Sequence, residues 1–342
     1  MQSRLLDRAQ IEALLGRETL DDLIEALKGL PYAHSLEQTM MGIEAAQRSQ
    51  TIIRIDAALR RDLVQNLSML RRFFSGRSLE LLHTLFLRWD IYNLKTVIRG
   101  MRAAVTLEDI LATTFPVGIL DDIALAELAR VPTMQAVAGT LETWRLPLAR
   151  PVRGGLNLLG ESDTLQPLEF ELDRFSFVHA ARMVADGDDN NRIVRDYLRF
   201  LVDQTNLLTA LRYLAEHHAL SPIEAGRHFL NVDGRLSRTH YESIVSAPDL
   251  RGGLSRLADT PYGGLVGVFA EGGTISLPLI ERQLNHMALH KAVSLSRQDP
   301  LGIGVVIAYL ERKINEIRNL RMIVQGKALG MDIEQIAQWV IV

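Results

Sequence analysis

Apolar residues recur at i, i+3 and i+4 along most of this chain, the spacing that lines one face of an α-helix. The pattern is clearest in "RAQIEALLGRETLDDLIEALKGL" (8–30), "TLEDILATTF" (106–115), "IVRDYLRFLVDQTNLLTALRYLAEHH" (193–218) and "VVIAYLERKINEIRNLRMIVQG" (305–326). Glycine and proline gather between such stretches, in "LPLARPVRGG" (146–155), "DTPYGG" (259–264) and "EGGTISLP" (271–278), and mark connections. Strand-like alternation is scarce; "TIIRI" (51–55) is short and fits either state. The pattern predicts an all-α protein.

One helical stretch carries an anomaly that organises the rest. In "RWDIYNLKTVIRG" (88–100) an asparagine stands mid-helix, where Asn is a mediocre former that prefers caps and turns. The trio Asp90-x-x-Asn93-Leu94 recurs as Asp203-x-x-Asn206-Leu207 and as Glu316-x-x-Asn319-Leu320, with successive Asn residues 113 positions apart. A capping-box signature follows each trio: Thr106-x-x-Asp109, Ser221-x-x-Glu224 and Asp332-x-x-Gln335, which lie 13, 15 and 13 residues after the Asn. A third marker is Leu-x-x-x-Pro-Tyr at Leu27–Pro31–Tyr32 and Leu257–Pro261–Tyr262, with a weaker relative at Leu128–Pro132–Thr133. Three markers in one cyclic order define an internal repeat. The expected limits are 1–103, 104–215 and 216–342, within one integrated domain.

An acid and an Asn at i, i+3 share a helix face. A buried Asn needs partners for its amide, and the backbone of an adjoining turn would supply them. The alternative is a polar ligand site formed three times. Repeats of roughly 110 residues exceed ordinary solenoid periods of 20–50. They suit three helical lobes about a pseudo-threefold axis, around a central hollow.

Composition narrows the classes of function. The chain has 342 residues, 47% of them hydrophobic and 23% charged, which is ordinary for a globular protein. A net charge of -3 gives no reason to expect nucleic acid or an anionic membrane as partner. With no Cys, thiolate metal sites, disulfides and cysteine nucleophiles are excluded. The amphipathic, acid-bearing start does not read as a signal peptide, and no apolar run nears the roughly 18 residues of a membrane span, so a cytoplasmic chain is expected.

The catalytic motifs fail one by one. "GGLNLLGES" (154–162) has P-loop spacing from Gly155 to Gly160, but Glu161 stands where the phosphate-binding Lys belongs, so an inter-lobe loop is expected. "DGDDNN" (186–191) begins like a calcium loop, yet has Asn191 for the sixth-position Gly and Tyr197 for the twelfth-position Glu. His286 and His290 share a helix face at i, i+4 but lack a third ligand, and His217 and His218 point to different faces. No Gly-x-Ser-x-Gly elbow occurs, and "LGIGVVIAYL" (301–310) reads as a helix start after Pro300. No catalytic residue, metal or cofactor is expected.

"RWDIYNLKTVIRGMRA", "VDQTNLLTALRY", "NEIRNLRMIVQGKALGM" and "LKGLPYAHSL" resemble the C subunit of archaeal and bacterial V-type rotary ATPases, whose eukaryotic relative is the d subunit. The resemblance runs through nearly the whole chain, from Arg4-Leu5-Leu6 to the segment after Asp332. Family members usually begin with a further helical segment ahead of that first stretch. The resemblance implies a three-lobed, all-helical funnel on the cytoplasmic face of the membrane rotor ring. Such a funnel holds the foot of the central stalk and turns with it, as a non-catalytic adaptor for H⁺ or Na⁺ transport. The implied partners are the c/K-type ring and the shaft subunits D and F, with no direct lipid anchoring. The other class left open is a helical enzyme or ligand-binding protein with its site around the acid–Asn trios.

Overall fold

The computed structural model describes residues 4–40, 48–159, 164–216, 225–269 and 275–342. Seventeen α-helices and no strand occur among the described residues, so the fold is all-α. Ser221–Glu224, Gly160, Glu161, His217 and His218 lie outside the described residues. The chain packs into two compact units: Met1–Leu79 with Ala292–Val342, and Glu80–Lys291.

In the first unit, α1 (Arg8–Leu15) and α2 (Leu20–Lys28) split the apolar stretch that begins at Arg8. Gly16 closes α1, and Thr19 opens α2 by accepting from the Asp22 amide while Asp22 reaches back to the Thr19 amide. Short α3 (Ala33–Met40) leads to the long α4 (Arg48–Leu70), and a 3₁₀ turn at Arg71–Phe73 leads to α5 (Gly76–Arg102). The ambiguous 51–55 stretch is part of α4. Ile55, Leu59, Leu63, Leu67 and Leu70 fall on one face of that helix and are buried, so tertiary packing outweighs the β-branched preference for strand. Each such side chain contributes roughly 1.5–3 kcal/mol by leaving water.

Against α4 lies α16 (Ile303–Ala328), which starts just after Pro300 and Leu301 with Gly302 as its N-cap. Asp56 meets Arg321, Asp62 meets Lys313, and Asn66 meets Tyr309, so the two helices run antiparallel. The chain ends with α17 (Ile333–Ala337), where Asp332 and Gln335 form a capping box.

The second unit repeats a scheme of long helices and short capped ones. After α5 come α6 (Leu107–Ala112), α7 (Asp122–Arg130), α8 (Met134–Thr143), α9 (Ala149–Leu159) and α10 (Gln166–Met183). They surround a core that includes Ile91, Leu94, Leu125, Leu141 and Leu168. Then α11 (Asp189–Ala215), α12 (Arg238–Val245), α13 (Leu250–Ser255), α14 (Gly264–Val268) and α15 (Leu277–Gln298) enclose a second core around Leu207, Tyr241, Leu257 and Leu284. Two expected connections are corrected by the structure. Residues 149–155 and the start of the supposed glycine loop, 154–159, belong to α9. Pro151 is tolerated because it lies in the first turn, where backbone N–H groups have no intrahelical acceptor.

Candidate functional site: three carboxylate–asparagine stations

The three acid–Asn trios sit on the long helices α5, α11 and α16, with acids and amides all between 0 and 5% exposed. Each Asn brackets one residue of a later segment. Asn93 donates to the Phe115 carbonyl and accepts from the Phe115 amide, both at 2.7 Å. Asn206 does the same to Leu230, at 3.2 and 2.8 Å. Asn319 does it to Ile341, at 2.7 and 3.0 Å. A side-chain amide thus replaces a strand-like backbone pairing, which answers why Asn is tolerated mid-helix. Leu94, Leu207 and Leu320, next along each helix, are buried.

One turn earlier, each acid accepts from backbone N–H groups elsewhere in the chain. The Ile119 and Leu120 amides donate to Asp90 at 3.0 and 2.9 Å. Those of Arg235 and Leu236 donate to Asp203 at 2.9 Å. The approach is close enough to require glycine: a Cβ on Gly118 would stand 2.2 Å from the Asp90 carboxylate, and one on Gly234 2.5 Å from that of Asp203. The third station closes differently. Glu316 accepts from the Leu6 amide at 2.6 Å, so the first and last segments of the chain both return to α16.

Helix caps extend the repeat. Asp7, Asp121 and Ser237 are N-caps directly after Leu6, Leu120 and Leu236, and the next N-caps, Thr19, Thr133 and Asp249, follow at twelve residues in every case. Fourth and seventh after the first cap stand Ile11 and Leu14, Leu125 and Leu128, Tyr241 and Ile244, all buried. Eighth after the second stand Leu27, Leu141 and Leu257, likewise buried. This frame corrects the placing of Pro132–Thr133. Thr133 takes the position of Thr19 and caps α8 by accepting from the Ala136 amide. After Leu141 the next proline pair is Pro147–Leu148, two residues further on than Pro31–Tyr32 after Leu27, and Leu148 is fully buried.

Where the tyrosine is present, it completes the station. The Tyr262 hydroxyl donates to Asp203 at 2.7 Å, and the Tyr32 hydroxyl donates to Glu316. At the third station Lys313, with no exposed surface, adds a cation. Its ammonium lies 2.8 Å from both Glu316 and Asp62, donates to the Tyr32 hydroxyl at 2.9 Å, and stands 4.5 Å from the Tyr32 ring centre. Burial first, and then the carboxylates, push the Tyr32 and Tyr262 hydroxyls above the ordinary value of 10.0. The same causes push Tyr309 up to about 12.

Above pH 10 the unfolded chain releases tyrosine protons that the folded chain keeps, so it binds fewer protons and stability falls as pH rises. The contribution is fully present below that pH. Urea midpoints measured from pH 8 to 11.5 should decline beyond about pH 10. The decline should be shallower, though not abolished, in a Tyr32→Phe/Tyr262→Phe variant, because Tyr309 and Tyr241 titrate in the same direction. Parallel curves would rule out this source.

The other candidates sort plainly. Asp188 caps α11 after the 186–188 turn, and Asn191 is buried with its amide donating to the Asp186 carbonyl at 3.0 Å. His286 and His290 face each other on α15, Nε2 to Nε2 at 3.0 Å, and burial followed by the His290 charge lowers the affinity of His286 for a proton. Among the described residues no three His, Cys, Asp or Glu gather as a metal site, and no helix is long and apolar enough to cross a membrane.

Gly118, Gly234 and Lys313 do not stand out in the sequence. The constant twelve-residue cap spacing was the signal available for the frame around them.

The geometry defines an all-α repeat protein in which recurring buried acids and amides hold other segments of the chain against long helices. Comparison of the whole sequence goes further: the profile of the ATP synthase (C/AC39) subunit family matches residues 1–338, and the chain belongs to that family. It is 23% identical over 337 residues to the A-type ATP synthase C subunit of Methanocaldococcus jannaschii, covering 98% of this chain and 82% of the relative. The C subunit of the Methanothermobacter thermautotrophicus A-type ATP synthase is 26% identical over 332 residues, covering 95% and 80%. That of Pyrococcus abyssi is 25% identical over 346 residues, covering 99% and 87%.

Proposed function

We propose that the chain is the non-catalytic central-stalk adaptor of an A/V-type rotary ATP synthase or ATPase. In this reading it couples the shaft subunits D and F to the c/K-type rotor ring on the cytoplasmic face of the membrane, in the service of H⁺ or Na⁺ transport. The family match across residues 1–338 carries the reading. The stations support it: their buried polar groups are engaged by backbone and neighbouring side chains of the same chain, as a stiff mechanical part requires. The same proposal includes three lobes, divided at 103/104 and 215/216, in a pseudo-threefold funnel. It has no cofactor to hold.

Anionic bilayers attract about 1 kcal/mol per nearby basic residue, and a chain of net charge -3 gains little from that. Docking therefore runs through the ring's exposed loops. Pull-downs with detergent-solubilised ring alone, shaft alone and both should recover a ternary complex, while protein-free liposomes at physiological salt should bind nothing. Tight binding to bare liposomes, or failure to bridge intact ring and shaft, would overturn the assignment.

A further inference from the structure

Each compact unit holds a cleft beside its Pro–Tyr turn. In the second unit the cleft measures about 280 Å³, with Phe200, Pro261, Tyr262 and Met287 as an apolar wall. In the first unit it measures about 590 Å³ and is bordered by Pro31, Ser35 and Met69. Both volumes belong to ligand-sized concavities or their lower fringe. The register is shared. Phe200 stands three residues before Asp203, and Lys313, under the first-unit cleft, three before Glu316. The prolines directly precede the tyrosines that donate to those acids.

The charge inventory is shared as well: one Asp, one His and two permanent cations at each cleft. In the second unit these are Asp196, His290, Arg235 and Lys291. Asp196 is divided between Arg235, at 2.5 Å, and Lys291, so two cations share one carboxylate. In the first unit Asp62 is paired from inside with Lys313 at 2.8 Å, a cation that Glu316 shares. Arg4 donates to the Asn66 side chain at 3.2 Å, and neither Arg4 nor Arg72 has an ion pair among the described residues. The sets are not copies of one another. Arg4 stands at the register of Gly234, and Arg235 at that of Leu5. Two unlike sets of positions thus place two cations and one carboxylate at each cleft, beside an apolar wall in the second unit and beside Pro31 and Met69 among polar neighbours in the first.

We propose that the two clefts are receptor sites for acidic side chains of a partner protein, one carboxylate in each. The proposal rests on the adaptor reading for the existence of that partner and names its chemistry. A carboxylate carried on a protein segment suits a cation pair flanked by apolar surface, since the methylenes beside the charge fill the wall. A guanidinium fork offers it two parallel donors.

The test is zero-length carbodiimide coupling in the assembled complex, with cross-links mapped by mass spectrometry. Wild type supplies the Lys291 amine in one cleft, and an Arg72→Lys variant supplies an amine in the other. Both amines should join to Asp or Glu of another subunit. Acetylation of Lys291 should slow at least fivefold on assembly. Purely intrachain coupling of Lys291 to Asp196, with acetylation equally fast in free and assembled protein, would overturn the proposal while leaving the adaptor reading standing. If no assembly forms, both fall. If 10 mM inorganic phosphate protects Lys291 in the free chain to the same degree, the occupant is a free oxyanion and the partner assignment is overturned.

Discussion

Lys313→Met should destabilise the first unit by about 3–5 kcal/mol, the usual result of removing one partner from a buried charge cluster. Lys313 has no exposed surface, and its ammonium is the cation within 2.8 Å of both Asp62 and Glu316, which are each 5% exposed. Methionine fills much of the volume, so lost packing is the smaller part. The larger part is two carboxylates left together in the interior. Lys313→Met/Asp62→Asn should recover a large share of the loss, because one buried charge then remains, and Glu316 still accepts from Leu6 and Tyr32. Lys313→Phe would install the residue found at this register in the second unit's Tyr262 station, Phe200, and should fare no better, since Asp62 and Glu316 still lose their shared cation. Equilibrium urea unfolding of wild type and the three variants at pH 7.5 checks the set. A Lys313→Met variant within 1 kcal/mol of wild type would show the cluster to be energetically idle.

What was legible in the sequence was recurrence, and what was not was partnership. The trios repeat because each does the same job at the same helix position, and a fixed spacing is visible without coordinates. The residue that Asn93 grasps, Phe115, has no side-chain role in the bond, so nothing in its type betrays it. Backbone acceptors are chemically anonymous. The acids' partners have the same character, but their crowding leaves a trace in Gly118 and Gly234, which a reader of motifs passes over as ordinary turn glycines. Thr133 misled because Pro-Thr resembles Pro-Tyr on paper, whereas its hydroxyl caps a helix and Tyr32 and Tyr262 reach a carboxylate. The 149–155 stretch misled because proline and glycine are read as breakers, though a first-turn proline breaks nothing.

Asn93→Leu, Asn206→Leu and Asn319→Leu should each cost roughly 1–3 kcal/mol, since every one orphans the buried N–H of the bracketed residue and the first two orphan its C=O as well. The three should differ in where the loss appears. Asn93 and Asn206 hold internal turns at Phe115 and Leu230, whose flanking helices are docked independently by the cores of the second unit. Asn319 holds Ile341, which follows the short α17. Once the bracket is removed, the segment keeps the Asn315 bond and the burial of Val340 and Ile341, and its opening should decouple from global unfolding. Native-state hydrogen exchange of the Ile341 amide should therefore accelerate at least tenfold in Asn319→Leu and stay near wild type in the other two. Asn315 also donates to the Ile341 carbonyl, at 2.7 Å, so Asn315→Leu/Asn319→Leu should release the segment further than either change alone. Uniform exchange across all of these variants would mean that the closing segment is held by apolar contacts of Val340 and Ile341 rather than by the bracket.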